Sequence, residues 1–195
     1  MDLYIMAAGK SSRFSYEPKI LKTFEYNEKI FKKFFDNIYI VSTDDLLNKY
    51  PKIKTFSKVI TGDFGNGSGS DVFELKRKIK KPICVCWSDV FFNEQNIKDI
   101  LDAYKKYNKN CLTATKRKNP YVSLIFEQNK LIGWTKGQNE GYQDNSIFII
   151  KELKEKNKEF LDLAVRNDFY VEIVKEKTLF FNTSEEYEKV LKELK

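Results

Sequence analysis

The chain has 195 residues, a formal net charge of +7 and a hydrophobic fraction of 42%, enough for an apolar core. A chain of this length buries most of its apolar surface by itself, so we expect a single domain over residues 1–195. The sequence contains no histidine. This excludes Ser-His-Asp, Cys-His and other histidine-based chemistry, and leaves carboxylates, lysine, arginine and metal ions for any catalysis.

The cysteines and the apolar runs indicate the cellular compartment in which we expect the protein. Cys84, Cys86 and Cys111 form no C-x-x-C pair, so we expect buried thiols rather than a zinc site. Neither an N-terminal signal segment nor a run of about 18 apolar residues, the length that crosses a bilayer, is present. We therefore expect a reduced, soluble, cytoplasmic protein with no membrane partner.

Short apolar runs rich in β-branched and aromatic residues predict strands along the whole chain. These runs lie at residues 2–7, 37–42, 57–61, 83–88, 110–115 and 146–150. Residues 70–81 and 96–108 have apolar side chains at helical spacing, and residues 182–195 form a predicted last helix with Thr183 or Ser184 as N-cap. This alternation predicts an α/β protein with a doubly wound, mostly parallel sheet.

A β-hairpin insertion is predicted on that core. Residues 121–127 and 130–135 are strand-like and flank Gln128-Asn129. In open α/β sheets, ligands bind beyond the carboxyl ends of the strands. The residues that follow each strand are therefore the candidates for a site.

The first strand ends in a small turn that suits a triphosphate. Ala7, Ala8 and Gly9 let a ligand approach the backbone, and Gly9 tolerates a positive φ. The donors and cations that follow are Lys10, Ser11, Ser12, Arg13 and Lys19. A P-loop is excluded because it requires glycine at position 4, where the chain has Tyr4. An ordinary solvated strand-to-helix turn is the alternative.

Two further loops follow predicted strands. Residues 62–71 form a Gly- and Ser-rich loop that runs into a helix, and it either contacts a nucleobase and ribose or is an ordinary surface loop. Asp89 follows a fully apolar strand and precedes three apolar residues. A carboxylate in such surroundings needs a partner, which can be a divalent cation; helix capping is the alternative.

The order of these motifs resembles the nucleotidyltransferase superfamily, whose members join a nucleoside triphosphate to a phosphorylated acceptor. The resemblance is carried by MAAGKSSRF with Pro18-Lys19, GNGSGSD, WSD and FNTSEEYEKV, over nearly the whole chain. The turn is similar to that of molybdenum-cofactor guanylyltransferases, and the size to small bacterial cytidylyltransferases. Among these the chain most resembles the cytidylyltransferases that act on phosphoglutamine in capsular phosphoramidate synthesis, and next the phosphocholine enzymes.

The resemblance implies a Rossmann-like nucleotidyltransferase fold and roles for individual residues. Residues 7–13 would hold the triphosphate, with Arg13, Lys19 and Asp89 catalytic. Ser68, Gly69 and Ser70 would contact base and ribose, Asp89 and Asn182 would bind Mg²⁺, and Lys136, Tyr142 and Asp144 would bind the acceptor. The implied reaction transfers CMP from CTP to a small phosphorylated acceptor and releases pyrophosphate.

Several alternatives stay open. The acceptor can be a sugar 1-phosphate or a molybdopterin. The neutral Asn182 and a short first crossover are also compatible with a non-catalytic nucleotide-binding module. Nucleic acid is not expected as a partner, because the lysines alternate with acids and the aromatic residues have core-like spacing. The resemblance also leaves a homodimer open.

Overall fold

A sheet of nine strands runs through the computed structural model, which describes residues 1–9 and 17–194. Two further strands form a small separate sheet. In chain order the strands are β1 (Leu3–Met6), β2 (Ile38–Ser42), β3 (Lys58–Thr61), β4 (Ile83–Trp87), β5 (Val90–Phe91), β6 (Cys111–Lys118), β7 (Ser123–Glu127), β8 (Lys130–Thr135), β9 (Glu140–Ile150), β10 (Tyr170–Ile173) and β11 (Leu179–Phe180). The helices are α1 (Ile20–Phe31), α2 (Asp44–Lys49), α3 (Ile53–Phe56), α4 (Ser68–Lys78), α5 (Glu94–Tyr107), α6 (Phe160–Arg166) and α7 (Ser184–Glu193).

The large sheet has the order β3-β2-β1-β4-β9-β6-β10-β8-β7. Strands β3, β2, β1 and β4 run parallel to one another. Strand β9 is antiparallel to both β4 and β6. The strand order reverses between β1 and β4, since β2 and β3 lie on one side of β1 and β4 on the other. That reversal is where open α/β sheets bind ligands.

Apolar side chains are buried on both faces of the sheet. One face packs against α1 and α5 through residues such as Phe24, Phe31 and Ile100. The opposite face packs against α4 and α6 through residues such as Leu75 and Leu163. Helices therefore cover both faces, and the predicted doubly wound α/β architecture with its large parallel region is confirmed.

The predicted elements are present with shifted ends. All six predicted strands and the three predicted helices occur, and Thr183 is the N-cap of α7, accepting from the backbone N–H of Glu186. The hairpin is β7 and β8, and its turn residues Gln128 and Asn129 have φ values of 47° and 63°. Two successive positive φ values are typical of a type I′ turn, which matches the twist of the strands.

Helix α1 and the short elements α2, α3, α6, β5, β10 and β11 were not predicted from the sequence. The predicted strand at residues 146–150 is only the end of β9. The first half of β9 consists mainly of polar residues, so it lacks the apolar run that marks a buried strand. This half carries Tyr142 and Asp144.

The thiols lie in the core. Cys84, Cys86 and Cys111 are buried and free, and they belong to one hydrophobic cluster, as predicted. Burial disfavours the thiolate and raises the pKa of Cys111 to about 12. Within residues 1–9 and 17–194, no helix has the length and apolar character needed to cross a bilayer.

Candidate active site

A cleft of about 540 Å³ opens beyond the carboxyl ends of β1 and β4. Residues that follow these two strands line one part of it, and residues from the hairpin, β9 and the start of α6 line another. The predicted site residues that line it are Ala7, Ala8, Gly9, Lys19, Ser68, Asp89, Lys136, Asp144 and Asn182. The fold therefore brings together positions that are far apart in the chain.

The turn after β1 is fixed at its first residue. The backbone N–H of Ala7 donates to the carbonyl of Val41 over 2.8 Å, and Ala7 and Ala8 are buried. Gly9 is exposed, and its φ lies outside the left-handed region. Among the residues that the structure describes, no atom lies within 4 Å of a Cβ built on Gly9, and a positive φ is not what distinguishes this position. Lys10, Ser11, Ser12 and Arg13 lie outside the described residues.

Lys19 and Asp89 form an ion pair inside the cleft. The ammonium of Lys19 lies 2.9 Å from Oδ2 of Asp89, and their side chains are only 11% and 28% exposed. The same ammonium lies 5.7 Å from the ring centroid of Phe181. The partly buried carboxylate of Asp89 therefore has a cationic partner, and this partner is the ammonium of Lys19.

Polar side chains of α1 hold the segment that carries Asp89. The hydroxyl of Thr23 donates to the carbonyl of Ser88 over 2.8 Å. The amide of Asn27 donates to the carbonyl of Val90 over 2.7 Å and accepts from the N–H of Phe92 over 3.0 Å. Because Thr23 and Asn27 are buried, these bonds satisfy groups that are costly to leave unpaired. Helix α1 therefore fixes both Lys19, just before its first turn, and the Asp89 segment.

The small sheet of β5 and β11 brings Asn182 beside Asp89. The N–H of Phe181 donates to the carbonyl of Asp89 over 3.2 Å, and Phe180 pairs with Val90. Asn182 follows immediately, and its N–H is held by Glu186 of α7. Asp89 and Asn182 thus line the same cleft, and their role as metal ligands stays a prediction.

The donors around Asp89 fit magnesium better than a transition metal. In the described part of the chain no group of three or more His, Cys, Asp or Glu side chains is arranged to hold a metal. Asp89 and Asn182 offer one carboxylate and one amide oxygen to the cleft. Mg²⁺ commonly binds through one or two carboxylates and the oxygens of substrate phosphates and water. Asp89 and Asn182 are therefore residues of the kinds that bind magnesium.

Asp144 reaches the cleft through an irregularity in β9. The pairing with β6 steps from Leu112–Phe148 to Ala114–Asp144, so β9 has two extra residues there. Ser146 in this bulge has a φ of 61°, and its N–H donates to Oδ1 of Asp144 over 2.9 Å. Burial raises the pKa of Asp144, and the negative charge of Asp89 adds to the effect. Bulges commonly re-aim side chains next to sites.

Arg117 lies on β6, and no role for it was predicted from the sequence. One of its terminal nitrogens donates to the carbonyl of Thr178 over 2.9 Å, and the guanidinium lies 5.4 Å from the ring centroid of Phe180. Burial lowers the pKa of Arg117, while the charge of Asp144 opposes that shift. Arg117 therefore links β6 to the segment that leads to Asn182. An arginine between two lysines in a strand gave no signal in the sequence.

The glycine-rich loop before α4 is organised by Asp71, another residue for which there was no prediction. Its carboxylate accepts from the N–H groups of Gly65 and Asn66, and it lines the cleft. Burial raises the pKa of Asp71, and the two backbone donors oppose that shift. Gly65 and Gly67 have φ values of 89° and 123°, which glycine adopts most readily. Hydrogen bonds within the loop and the conformation of its glycines therefore define its path.

The predicted nucleotide contacts in this loop divide into two groups. Ser68 lines the cleft, and its hydroxyl accepts from the N–H of Phe160. Gly69 and Ser70 are absent from the cleft lining, and their N–H groups donate to the carbonyl of Lys158. For Gly69 and Ser70 the structure shows helix packing, and contact with base or ribose stays a prediction.

The hairpin and β9 form the other end of the cleft. Lys136 and Asp144 line it, together with Tyr121 and Trp134, for which there was no prediction. Tyr142 is not part of the lining; its ring packs against Phe126 with centroids 5.4 Å apart. A role for Tyr142 in acceptor binding therefore stays a prediction.

Solved structures share this architecture. HddC from Yersinia pseudotuberculosis has a TM-score of 0.76 at 16% identity, over 100% of this chain and 99% of that one. The CTP:phosphocholine cytidylyltransferase LicC from Streptococcus pneumoniae has a TM-score of 0.70 at 14% identity, over 100% and 99% of the two chains. The inositol-1-phosphate CTP transferase from T. maritima has a TM-score of 0.76 at 14% identity, over 99% and 94%.

These similarities establish a shared fold. No family model matches the sequence, and no curated protein matches it. The structural similarities confirm the Rossmann-like α/β fold that the resemblance of the sequence motifs implied.

Proposed function

We propose that this protein is a Mg²⁺-dependent cytidylyltransferase that transfers CMP from CTP to a small phosphorylated acceptor and releases pyrophosphate. The observation that carries the proposal is the meeting of Lys19, Asp89 and Asn182 in the cleft where the strand order reverses. The fold shared with two CTP-using transferases supports it. A phosphorylated amide such as phosphoglutamine is our preferred acceptor.

Charge neutralisation is the main task of such a site. The acceptor phosphate attacks the α-phosphorus of CTP, so two anions must approach each other. Two unit charges at about 4 Å repel by about 4 kcal/mol at an effective dielectric constant of about 20. Lys19 would bind at the α-phosphate and Arg13 at the departing pyrophosphate. Both residues offset charge that develops during the reaction.

The charges of Lys19 and Asp89 neutralise each other across 2.9 Å, and a bound nucleotide would replace this pairing. With nucleotide, Asp89 and Asn182 would hold Mg²⁺, which supplies positive charge to the triphosphate oxygens. Lys19 would then leave Asp89 for the α-phosphate. Neither residue would become a buried unpaired charge.

The reaction requires no general base from the protein. A phosphate monoester already has an ionised oxygen near neutral pH. The chain therefore has only to bind and orient the two substrates, which is consistent with its lack of histidine. Asp144 and Lys136 at the opposite end of the cleft would position the acceptor.

Pyrophosphate release, measured with each of the four nucleoside triphosphates and a panel of phosphorylated acceptors, tests the proposal. We expect release with CTP and Mg²⁺ only when an acceptor is present, and loss of release when EDTA is added. Binding of nucleotide without release for any acceptor would favour the non-catalytic module. The panel includes sugar 1-phosphates, because inositol 1-phosphate is named as substrate of one protein with this fold.

A further inference from the structure

The exposed side chain of Lys136 brings its ammonium near two aromatic rings of the cleft lining. Its ammonium lies 5.6 Å from the ring centroid of Tyr121 and 5.6 Å from that of Trp134. All three residues line the cleft. A cation within about 6 Å of a ring centroid is attracted by the negative face of the ring. Lys136 therefore occupies a position that two aromatic side chains make favourable for a cation.

Each of the two aromatic residues has a hydrogen bond of its own. The indole N–H of Trp134 donates to Oδ1 of Asp162 on α6 over 2.7 Å, which orients the ring. The backbone N–H of Tyr121 donates to the side-chain oxygen of Gln143 on β9 over 2.8 Å, which holds its backbone, while its side chain is half exposed. We call the rings of Tyr121 and Trp134 the ring pair.

The ammonium of Lys136 has no carboxylate partner. Among residues 1–9 and 17–194, no acidic oxygen lies within 4.0 Å of its Nζ. Lys19, at the other end of the cleft, is by contrast paired with Asp89. The three N–H donors of Lys136 are consequently available to a ligand while its ammonium lies near the ring pair. An ammonium in this arrangement attracts anions and repels cations.

We propose, on the basis of the proposed function, that Lys136 determines the charge of the acceptor. Two aromatic rings in a binding site attract a cationic group of the ligand, such as a quaternary ammonium. Here the ammonium of Lys136 lies near both rings and occupies the position that such a group would take. The acceptor is therefore a small phosphorylated molecule whose other end carries no net positive charge, such as a phosphorylated amide or a polyol phosphate. An acceptor that ends in a trimethylammonium group is excluded by charge, although its shape is compatible with the ring pair.

Two ligands of the same shape test this. Phosphocholine and dimethylbutyl phosphate differ by one atom, since a neutral carbon replaces the charged nitrogen. Calorimetric titration without nucleotide measures their dissociation constants independently of turnover. We expect the wild type to bind the neutral ligand at least about tenfold more tightly, because the charged one meets the ammonium of Lys136. Equal affinities, or no binding of either ligand, overturn the proposal.

Variants identify the residue that is responsible for the preference between the two ligands. In Lys136→Met we expect the preference to reverse in favour of phosphocholine, because the ring pair then faces its ammonium group. Adding Trp134→Leu should remove that reversal. Lys118→Met, which changes an exposed lysine outside the cleft lining, should keep the wild-type ratio. If Lys136→Met weakens both ligands by the same factor, Lys136 only binds the phosphate and the proposal fails.

A failure of the Lys136 proposal can be distinguished from a failure of the proposed reaction. Pyrophosphate release with the neutral acceptors, combined with equal binding of the two isosteres, overturns only the role of Lys136. The expected binding preference without release from any nucleoside triphosphate overturns only the proposed reaction.

Discussion

The ammonium of Lys19 lies 2.9 Å from the carboxylate of Asp89, although 70 residues separate them in the chain. Helix α1 makes this contact possible, because it begins directly after Lys19 and hydrogen-bonds to residues 88–92 through Thr23 and Asn27. The pair lies at the edge of the sheet where the strand order reverses. The first predictions concern its two members.

Replacing Asp89 by Asn should reduce Mg²⁺-dependent pyrophosphate release by about 10²–10³-fold, since it removes the one carboxylate at the proposed magnesium position and leaves Lys19 without its partner. Initial rates at several Mg²⁺ concentrations measure the effect. Asp102→Asn, an exposed substitution on α5, is the matched control and should be neutral. Wild-type rates in Asp89→Asn would remove Asp89 from the mechanism.

Replacing Lys19 by Met should lower kcat about 10²-fold, because charge at the α-phosphate is then neutralised less in the transition state. Steady-state kinetics with both substrates varied measure it. Lys22→Met is the control. Lys22 lies about one helical turn after Lys19 and forms an ion pair with Glu17. An increase confined to the KM of the acceptor would instead place Lys19 at the other substrate.

Arg117→Met should weaken the site through the segment that carries Asn182. The substitution leaves the carbonyl of Thr178 without its donor, which typically costs about 1–3 kcal/mol. We expect a fall in Tm and a higher Mg²⁺ concentration for half-maximal activity. Arg117→Lys should restore part of the magnesium response, because it keeps the charge. A fall in Tm with an unchanged magnesium response would show that Arg117 has only a structural role. Lys118→Met is the control for the loss of one positive charge.

Gly69→Ala should destabilise the fold. The added Cβ would lie 2.6 Å from the backbone oxygens of Asn157 and Glu159, and backbone atoms cannot move aside as a flexible side chain can. Overpacking of this kind costs about 2 kcal/mol, or ~5 °C in Tm for a chain of this size. Thermal unfolding measures it. Gly133→Ala, whose Cβ would meet only Ile125 at 3.8 Å, should change Tm little. Equal Tm values for the two variants would contradict the packing argument.

Asp144 should make stability depend on pH. Burial raises the pKa of this carboxyl group in the folded state, so the folded chain holds the proton more tightly than the unfolded chain does. The resulting stabilisation is present below the unfolded pKa, about 4, and is lost as the pH rises through the folded pKa. Asp144→Asn cannot ionise and still accepts from Ser146.

The measurement is the difference in Tm between Asp144→Asn and the wild type. This difference should increase in favour of the variant from about pH 4 to about pH 7. Other buried carboxyl groups, such as Asp71, are common to both proteins and cancel in the difference. A constant difference across this range would show that Asp144 titrates normally and would contradict the prediction.

The sequence by itself determined the local elements and the residues at their ends. Apolar runs fixed the position of β1 and β4, and the residues that follow them, Ala7 to Gly9 and Asp89, line the cleft. Thr183 with Glu186 gave the start of α7, and Gln128-Asn129 gave the hairpin turn. These features depend on contacts within a few residues, so the pattern of residue types is sufficient to predict them.

Only the tertiary structure decided which of these residues meet. The pairing of β5 with β11 places Asn182 beside Asp89, the bulge in β9 turns Asp144 into the cleft, and Arg117 binds Thr178 across 61 residues. The position of Lys136 near Tyr121 and Trp134 likewise depends on how the hairpin joins the cleft. Such contacts depend on strand order and register, and many different packings of the same elements are compatible with one periodic pattern.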